Sequence, residues 1–292
     1  MSSARIIRRM KWRLKWALGV AAALAMTLPA PALAKGLTER LQVFPSHPRV
    51  GRLVTVQLRP CALDSPTFLG QDFAWRVTAR SQGHRLRIAL VRQTRDPYLW
   101  SARVRFRSPG RWKISVEGDQ ASPMKFDVPV RRGRPSLWER LERPFRAQTV
   151  PSGSPCPTAN PDPRGSLSRI GFVGTAWGPG PVYPAGLGND LPVLSYSYPP
   201  PPDSGWGDWG GNKVNWVRDL AYIGPVLIRG LRLDGPDELR FNEGSLPSLS
   251  MRQKGRTNPS YTRVRSPGCY AYQVDGTSFS YTIVFEAKPF GS

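Results

Sequence analysis

The sequence predicts an all-β protein whose strands are layered into sandwiches. Three observations carry that prediction. Apolar residues recur at every second position along most of the chain, turn residues break this alternation at short intervals, and a twelve-residue phrase occurs twice. The phrase is RSPGRWKISVEG at 107–118 and RSPGCYAYQVDG at 265–276, identical at six positions.

The first 34 residues stand apart from the fold. Arg5, Arg8, Arg9, Lys11, Arg13 and Lys15 make a basic stretch, residues 17–28 are an apolar run, and PALA at 31–34 supplies the small residues of a cleavage site. Together they read as a signal peptide over 1–34. A membrane anchor needs roughly 18 apolar residues or more, and Pro29 and Pro31 interrupt the run where it would have to continue. Cleavage after Ala34 is the preferred reading, with a retained anchor as the alternative. Arg8 and Arg9 lack the hydrophobic residues of a twin-arginine signal behind them, so the general secretory route is expected. The remaining chain is then exported, to an extracellular, periplasmic or cell-wall location.

Residues 36–133 form the first expected domain. LQVF at 41–44 is followed by alternating runs at Val54, Val56 and Leu58; Phe73, Trp75 and Val77; Leu86, Ile88 and Leu90; Trp100 to Phe106; Trp112, Ile114 and Val116; and Phe126, Val128 and Val130. Alternation with period two buries one face of each strand and wets the other, as in an antiparallel sandwich. Seven short strands in this length have the rhythm of an immunoglobulin-like sandwich. Residues 134–166 are a linker. Ser136 with Glu139 makes a capping box for a short helix that Pro144 ends, and the Pro-rich run 151–165 reads as an extended connector.

The second expected domain, 167–292, returns to strands with longer loops. Its candidates are RIGFVGTAW, LPVLSYSY, NKVNWV, GPVLIRGLRL, ELRFN, SLSMRQ, YTRVR, CYAYQV and FSYTIVFEA. It reads as a second immunoglobulin-like sandwich. The repeated phrase then has an explanation: Trp112, Ile114 and Val116 match Tyr270, Tyr272 and Val274 as inward residues, and the Pro-Gly pair makes a tight turn. The phrase is expected to be the penultimate hairpin of each sandwich, a signature of folding with no catalytic side chain in common. SPGRWKISV and SPGCYAYQV resemble the late strands of bacterial Ig-like domains. Over 150–292, CYAYQVDGTSFSYTIVF, WGPGPVYP and GPVLIRGLRLDG are similar to segments of exported bacterial proteins to which no activity is assigned. The resemblance implies fold and compartment, and no functional residue.

Charge is concentrated in the first half. The whole chain carries +22, and residues 36–133 hold 18 basic against 7 acidic side chains, whereas 167–292 hold 12 against 10. For an exported domain this excess points to anionic wall polymers, acidic polysaccharide or phospholipid headgroups and not to nucleic acid. Solubility alone is the competing explanation. Arg103, Arg105 and Arg107 alternate with apolar residues and so face outward, and Arg111 and Lys113 do the same across the Ser-Pro-Gly turn. These five are the candidate site for an anionic polymer or an acidic protein. The alternative is a solvated face balanced by Glu117 or Glu39.

Cys61, Cys156 and Cys269 allow one pair and one remainder in an oxidising compartment. Cys269 points away from the core if Tyr270 points into it, toward a surface where the connector could bring Cys156; Cys156–Cys269 is the preferred pair. Cys61 with Cys156, or three free thiols, are the alternatives. In LSYSYPPPPDSGWGDWGG at 194–211, Tyr196, Tyr198, Trp206 and Trp209 either cap their own core or contact a glycan or protein. Catalytic motifs, a metal-ligand pattern and a cofactor motif are missing from the sequence. Asp203, Asp208 and Asp219 lack the spacing of a calcium loop. The expected function is therefore an exported, non-catalytic binding module. A glycan-acting enzyme using carboxylates and the Trp206–Trp209 loop is the rival, and a structural spacer is a third reading.

Overall fold

The computed structural model describes residues 37–62, 74–118, 121–202, 204–252 and 255–291. The expected signal peptide, Phe73 and Asp203 lie outside them. Lys35–Ser292 make one compact unit.

Among the described residues, eight strands build the first sandwich: β1 (Leu37–Phe44), β2 (Leu53–Ala62), β3 (Trp75–Ser81), β4 (His84–Ile88), β5 (Val91–Gln93), β6 (Asp96–Arg105), β7 (Gly110–Gly118) and β8 (Ala121–Val130). They form two antiparallel sheets, ordered β1-β2-β6-β5 and β4-β3-β7-β8. All seven expected strands are present, and β5 is additional because three residues are too few for alternation to show. Val54, Val56 and Leu58 from one sheet pack with Val77, Ala79, Trp112, Ile114 and Val116 from the other in a single core.

The second sandwich comprises β9 (Val182–Ala185), β10 (Val193–Tyr196), β11 (Gly210–Arg218), β12 (Val226–Arg232), β13 (Arg240–Phe241), β14 (Ser248–Met251), β15 (Thr257–Val264), β16 (Gly268–Gly276) and β17 (Ser280–Pro289). Its sheets are ordered β13-β15-β11-β9 and β10-β17-β16-β12-β14, with β10 parallel to β17. The core joins Val214 and Trp216 to Val226, Ile228, Tyr270, Tyr272, Ile283 and Phe285. RIGFVGTAW is not a strand. It begins in a 3-10 turn, Leu167–Ile170, whose end is set by Gly171 at φ 81°, and the first strand is the unanticipated β9.

Read as strands A to G with C′ after C, the first sandwich has the A-B-E-D and C′-C-F-G sheets of an immunoglobulin fold. The second keeps the A-B-E and C-F-G order as β9-β11-β15 and β12-β16-β17, but β13 joins β15, the later β14 joins β12, and β10 is added beside β17. The repeated phrase therefore does not close a hairpin. In each copy its Ser-Pro-Gly carries the chain from strand E in one sheet to strand F in the other, from β6 to β7 and from β15 to β16. The aromatic two residues after the glycine ties that corner down. Trp112 Nε1 donates to the Ser108 carbonyl at 3.0 Å, and the Tyr270 hydroxyl donates to the Ser266 carbonyl at 2.8 Å. This is the position and role of the tyrosine corner in immunoglobulin-like domains. The echo serves folding, through a corner between sheets.

The linker is anything but loose. Helix α1 (Leu137–Leu141) has the expected capping box, with Glu139 N–H donating to Ser136 Oγ and Ser136 N–H to Glu139 Oε2. Arg49 then grips Glu139 through two 2.7 Å bonds. Beyond the helix, residues 142–150 run between the sandwiches. On one side Gln57 donates to the Phe145 carbonyl and buried Arg59 bonds Asp96, Thr149 and the Ala147 carbonyl. On the other, Gln273 receives Arg146 N–H and donates to the Pro144 carbonyl, and Val150 N–H donates to Leu233. Phe44, Phe145, Val150, Leu231, Leu233 and Ala271 make a third apolar cluster around this wedge. Arg40 of β1 closes the junction directly on the Arg232, Gly235 and Asp237 carbonyls.

Candidate functional site

The β3–β4 hairpin turns on Gln82 and Gly83, at φ 34° and 81°. Two successive positive φ values suit a two-residue hairpin loop, which pins the register of the strands it joins. Ala79 and Leu86 meet on the inner side of that register, so their neighbours Arg80 and Arg85 meet directly on the outer side. The pairing of β3 with β7 sets Lys113 on the other flank of Arg80. Arg85, Arg80 and Lys113 thus form one row across three adjacent strands, and Asp127 of β8 stands at its end opposite Lys113. In the next row Arg87 and Lys125 flank Thr78 and Ser115.

Neutralisation on this face is slight. Arg76 reaches Glu117, and Arg111 reaches Asp127, each at 3.4 Å between largely exposed side chains. Arg80, Arg85, Arg87, Lys113 and Lys125 have no carboxylate partner among the described residues. Like charges directly opposite across strands cost about 0.2–1 kcal/mol per pair, so the row opposes folding unless an anion offsets it. At its corner Arg80, Gln82, His84, Arg85, Arg111 and Lys113 surround a shallow depression of about 520 Å³. The inner side is packed: Trp112 stacks with His84 and packs on Phe106.

The structure separates the five basic residues singled out from sequence. All are exposed. Arg103 and Arg105 lie in the β1-β2-β6-β5 sheet opposite Thr55 and Leu53, and Arg105 donates to the Gly51 carbonyl at 2.7 Å. Arg111 and Lys113 belong to the opposite sheet and face the other way, with Arg107 in the corner between them. The single face expected for the five does not form, because the Ser-Pro-Gly turn changes sheet. Arg80, Arg85 and Arg87 were missed: a period-two pattern reveals which way they point, and only strand pairing reveals that Arg80 stands between Arg85 and Lys113 with Arg87 one row on.

The four aromatic candidates of the second sandwich also divide. Tyr196 is buried in the core, where desolvation raises its pKa, while Tyr198 is half exposed. Trp206 lies over the buried guanidinium of Arg263, 3.5 Å from ring centre to Cζ, with Tyr261 on the same guanidinium at 4.5 Å. Trp209 covers Arg265 at 4.5 Å, and Asp208 pairs with Arg265 at 3.3 Å. This loop lies against its own sheet.

Cys156 and Cys269 form a disulfide with a Cα separation of 5.3 Å. Cys269 points outward beside inward Tyr270, and the linker delivers Cys156 to it. Cys61 stands in β2 opposite Thr38, and its side chain lies outside the described set.

One titratable cluster had no signal in the sequence. The Tyr183 hydroxyl donates to Asp162 and accepts from Arg164 at 2.9 Å and Arg169 at 2.6 Å, while Arg169 pairs with Asp219 at 2.6 Å. Hydrogen bonds from Arg164 hold the Asp162 carboxyl far below the usual range, and burial pushes the Tyr183 hydroxyl up to about 12. Each charge is matched within the cluster, which suits stapling loops together better than proton transfer. Among the described residues no group of three or more His, Cys, Asp or Glu side chains converges as a metal site.

No family model matches the chain, and no curated protein matches it. Among solved structures, the adhesin InvE of Yersinia pseudotuberculosis aligns over 87% of this chain and 60% of its own, at 8% identity and a TM-score of 0.24. Domains 5-6 of the S-layer protein SbsC align over 87% of this chain and 100% of theirs, at 9% identity and a TM-score of 0.25. A tandem of titin Ig domains aligns over 87% and 97%, at 7% identity and a TM-score of 0.22. This chain spans about 60% of the InvE chain. The immunoglobulin-like order, complete in the first sandwich and kept at A-B-E and C-F-G in the second, stands on the strand pairing itself.

Proposed function

We propose that this protein is an exported, non-catalytic binding module of the cell envelope, whose first sandwich holds an anionic polymer on the outer face of the β4-β3-β7-β8 sheet. The row Arg85, Arg80, Lys113 carries this reading. Three cations brought into register, with one carboxylate at the end of the row, form a fixed field that a polyanion would neutralise. The face is flat and open, which suits an extended polymer better than a small molecule held in an enclosed pocket. Arginine's planar fork further favours phosphate, sulfate or carboxylate groups presented along such a chain.

Retention on purified cell wall and on immobilised heparin, measured over a salt series, tests the proposal. Arg80→Glu with Arg85→Glu is expected to lower retention by about tenfold or more at low salt, and the salt dependence should flatten with the loss of those contacts. Arg103→Glu with Arg105→Glu, on the opposite sheet, serves as the comparison and should have a much smaller effect. Equal losses for the two pairs, or retention insensitive to both, would remove the assigned face.

A further inference from the structure

Among the described residues, the three most exposed large apolar side chains are Val173 at 92%, Ile223 at 77% and Leu220 at 67%. All three sit on loops at one end of the second sandwich. Isolated apolar residues are ordinary on a protein surface, but three gathered at one end are not.

Specific contacts gather them. Arg169, at the base of the loop carrying Val173, pairs with Asp219, the residue before Leu220. Arg256 donates to the Ile170 carbonyl at 2.5 Å and stacks over Phe172 at 5.5 Å, while its own carbonyl accepts from Arg218 N–H. The turn that carries Leu220 and Ile223 is closed by Asp219, which accepts from the N–H groups of Ala221 and Tyr222. Tyr222 packs inward on Phe279 at 4.8 Å. Leu167, Ile170 and Val217 form a small core beneath. These aliphatic tips are therefore held outward by a packed base.

Cations without a carboxylate partner lie beside these loops. Arg252 and Arg256 are exposed and have no carboxylate partner among the described residues. Asp219, on the Leu220–Ile223 turn, is already engaged by Arg169, and exposed Asp190 stands on the next loop, whose Asn189 carbonyl accepts from Thr175.

We propose that this end of the second sandwich docks on an anionic lipid surface, with Val173, Leu220 and Ile223 entering the headgroup boundary and Arg252 and Arg256 meeting lipid phosphates. Separate aliphatic tips beside cations complement a bilayer interface, where short apolar insertions and headgroup charge act together. A second copy of the chain would have to set these arginines against their own equivalents.

Co-sedimentation of Lys35–Ser292, the compact unit that holds every core described above, provides the test. The vesicles are phosphatidylcholine alone and phosphatidylcholine containing one quarter phosphatidylglycerol. Binding is expected to the anionic vesicles, with a drop of about fivefold or more in Val173→Ser/Leu220→Ser/Ile223→Ser and a comparable drop in Arg252→Glu/Arg256→Glu. Val91→Ser, an exposed apolar position on the first sandwich, should bind as the parent does. Circular-dichroism melts check folding, and single Leu220→Ser and Ile223→Ser variants replace the triple one if it melts early. Absence of vesicle binding, or undiminished binding by the serine variants, overturns the proposal. So does a lipid-free dimer in sedimentation that the serine variants abolish, because the tips would then be a self-association surface.

Discussion

The guanidinium of Arg229, on β12 of the second sandwich, lies 5.2 Å from the ring centre of Phe44 on β1 of the first. It lies 4.9 Å from that of Phe145 in the linker. Three segments distant in sequence meet on one buried cation, whose Nη2 is paired with fully buried Asp275 at 2.7 Å.

Removing Asp275 should cost more than the pair itself is worth. Asp275→Ala leaves Arg229 buried with distant Glu142 at 4.0 Å as its remaining carboxylate, so a loss of about 3–5 kcal/mol is expected in denaturant melts. Replacing both residues, Arg229→Met with Asp275→Leu, should recover most of that loss. A single variant as stable as the parent would show that the junction does not depend on this pair.

The Cys156–Cys269 disulfide spans 113 residues of sequence. In the chain-entropy picture a loop of that length stabilises by about 4–5 kcal/mol. Reduction, or Cys156→Ser with Cys269→Ser, should lower the melting temperature markedly. An unchanged melt would mean that the linker contacts alone hold this edge.

Acid should unfold the protein through the cluster around Tyr183. Asp162 is held below its ordinary 3.8 by hydrogen bonds from Arg164, and Asp219 by the Ala221 N–H and then by Arg169. A depressed carboxylate contributes stability above its unfolded pKa, and that contribution is lost as pH falls through the folded value. Stability from these groups should hold above about pH 5 and fall from about pH 4 downward. Asp162→Asn should be less stable at neutral pH and show a shallower acid limb; a parallel limb would contradict this assignment.

Relieving the cationic row should stabilise the first sandwich. Arg80→Thr removes two like-charge oppositions and installs a good strand former, so a gain of about 0.5–2 kcal/mol is expected at low salt. High salt should shrink that gain. Loss of stability at low salt would mean that neighbouring groups already compensate the row.

Strand alternation was readable because it reports one thing, which side of a sheet is buried. Val54 to Leu58, Trp112 to Val116 and Ile283 to Phe285 all obey it. The capping box at Ser136 and the outward direction of Cys269 were readable for the same reason, since both follow from local geometry. What neighbours what is a different kind of information. Ser-Pro-Gly looks alike whether it closes a hairpin or turns a corner between sheets, and misreading it put Arg103 beside Arg111. Arg80 reveals its company only through the pairing of β3 with both β4 and β7. Composition reads the linker as a short helix and an extended connector, and does not record that Gln273 and Arg59 take up the Pro144 and Ala147 carbonyls between them.

That wedged linker has a consequence for avidity. Where two binding surfaces are tethered by a floppy segment, each samples many separations and can engage almost any spacing of targets. Here the segment is gripped from both sides, so the two sandwiches present their outer surfaces at one set distance and angle. Paired targets at that spacing would be captured together with little entropic loss, and those at any other spacing would be held by one end alone.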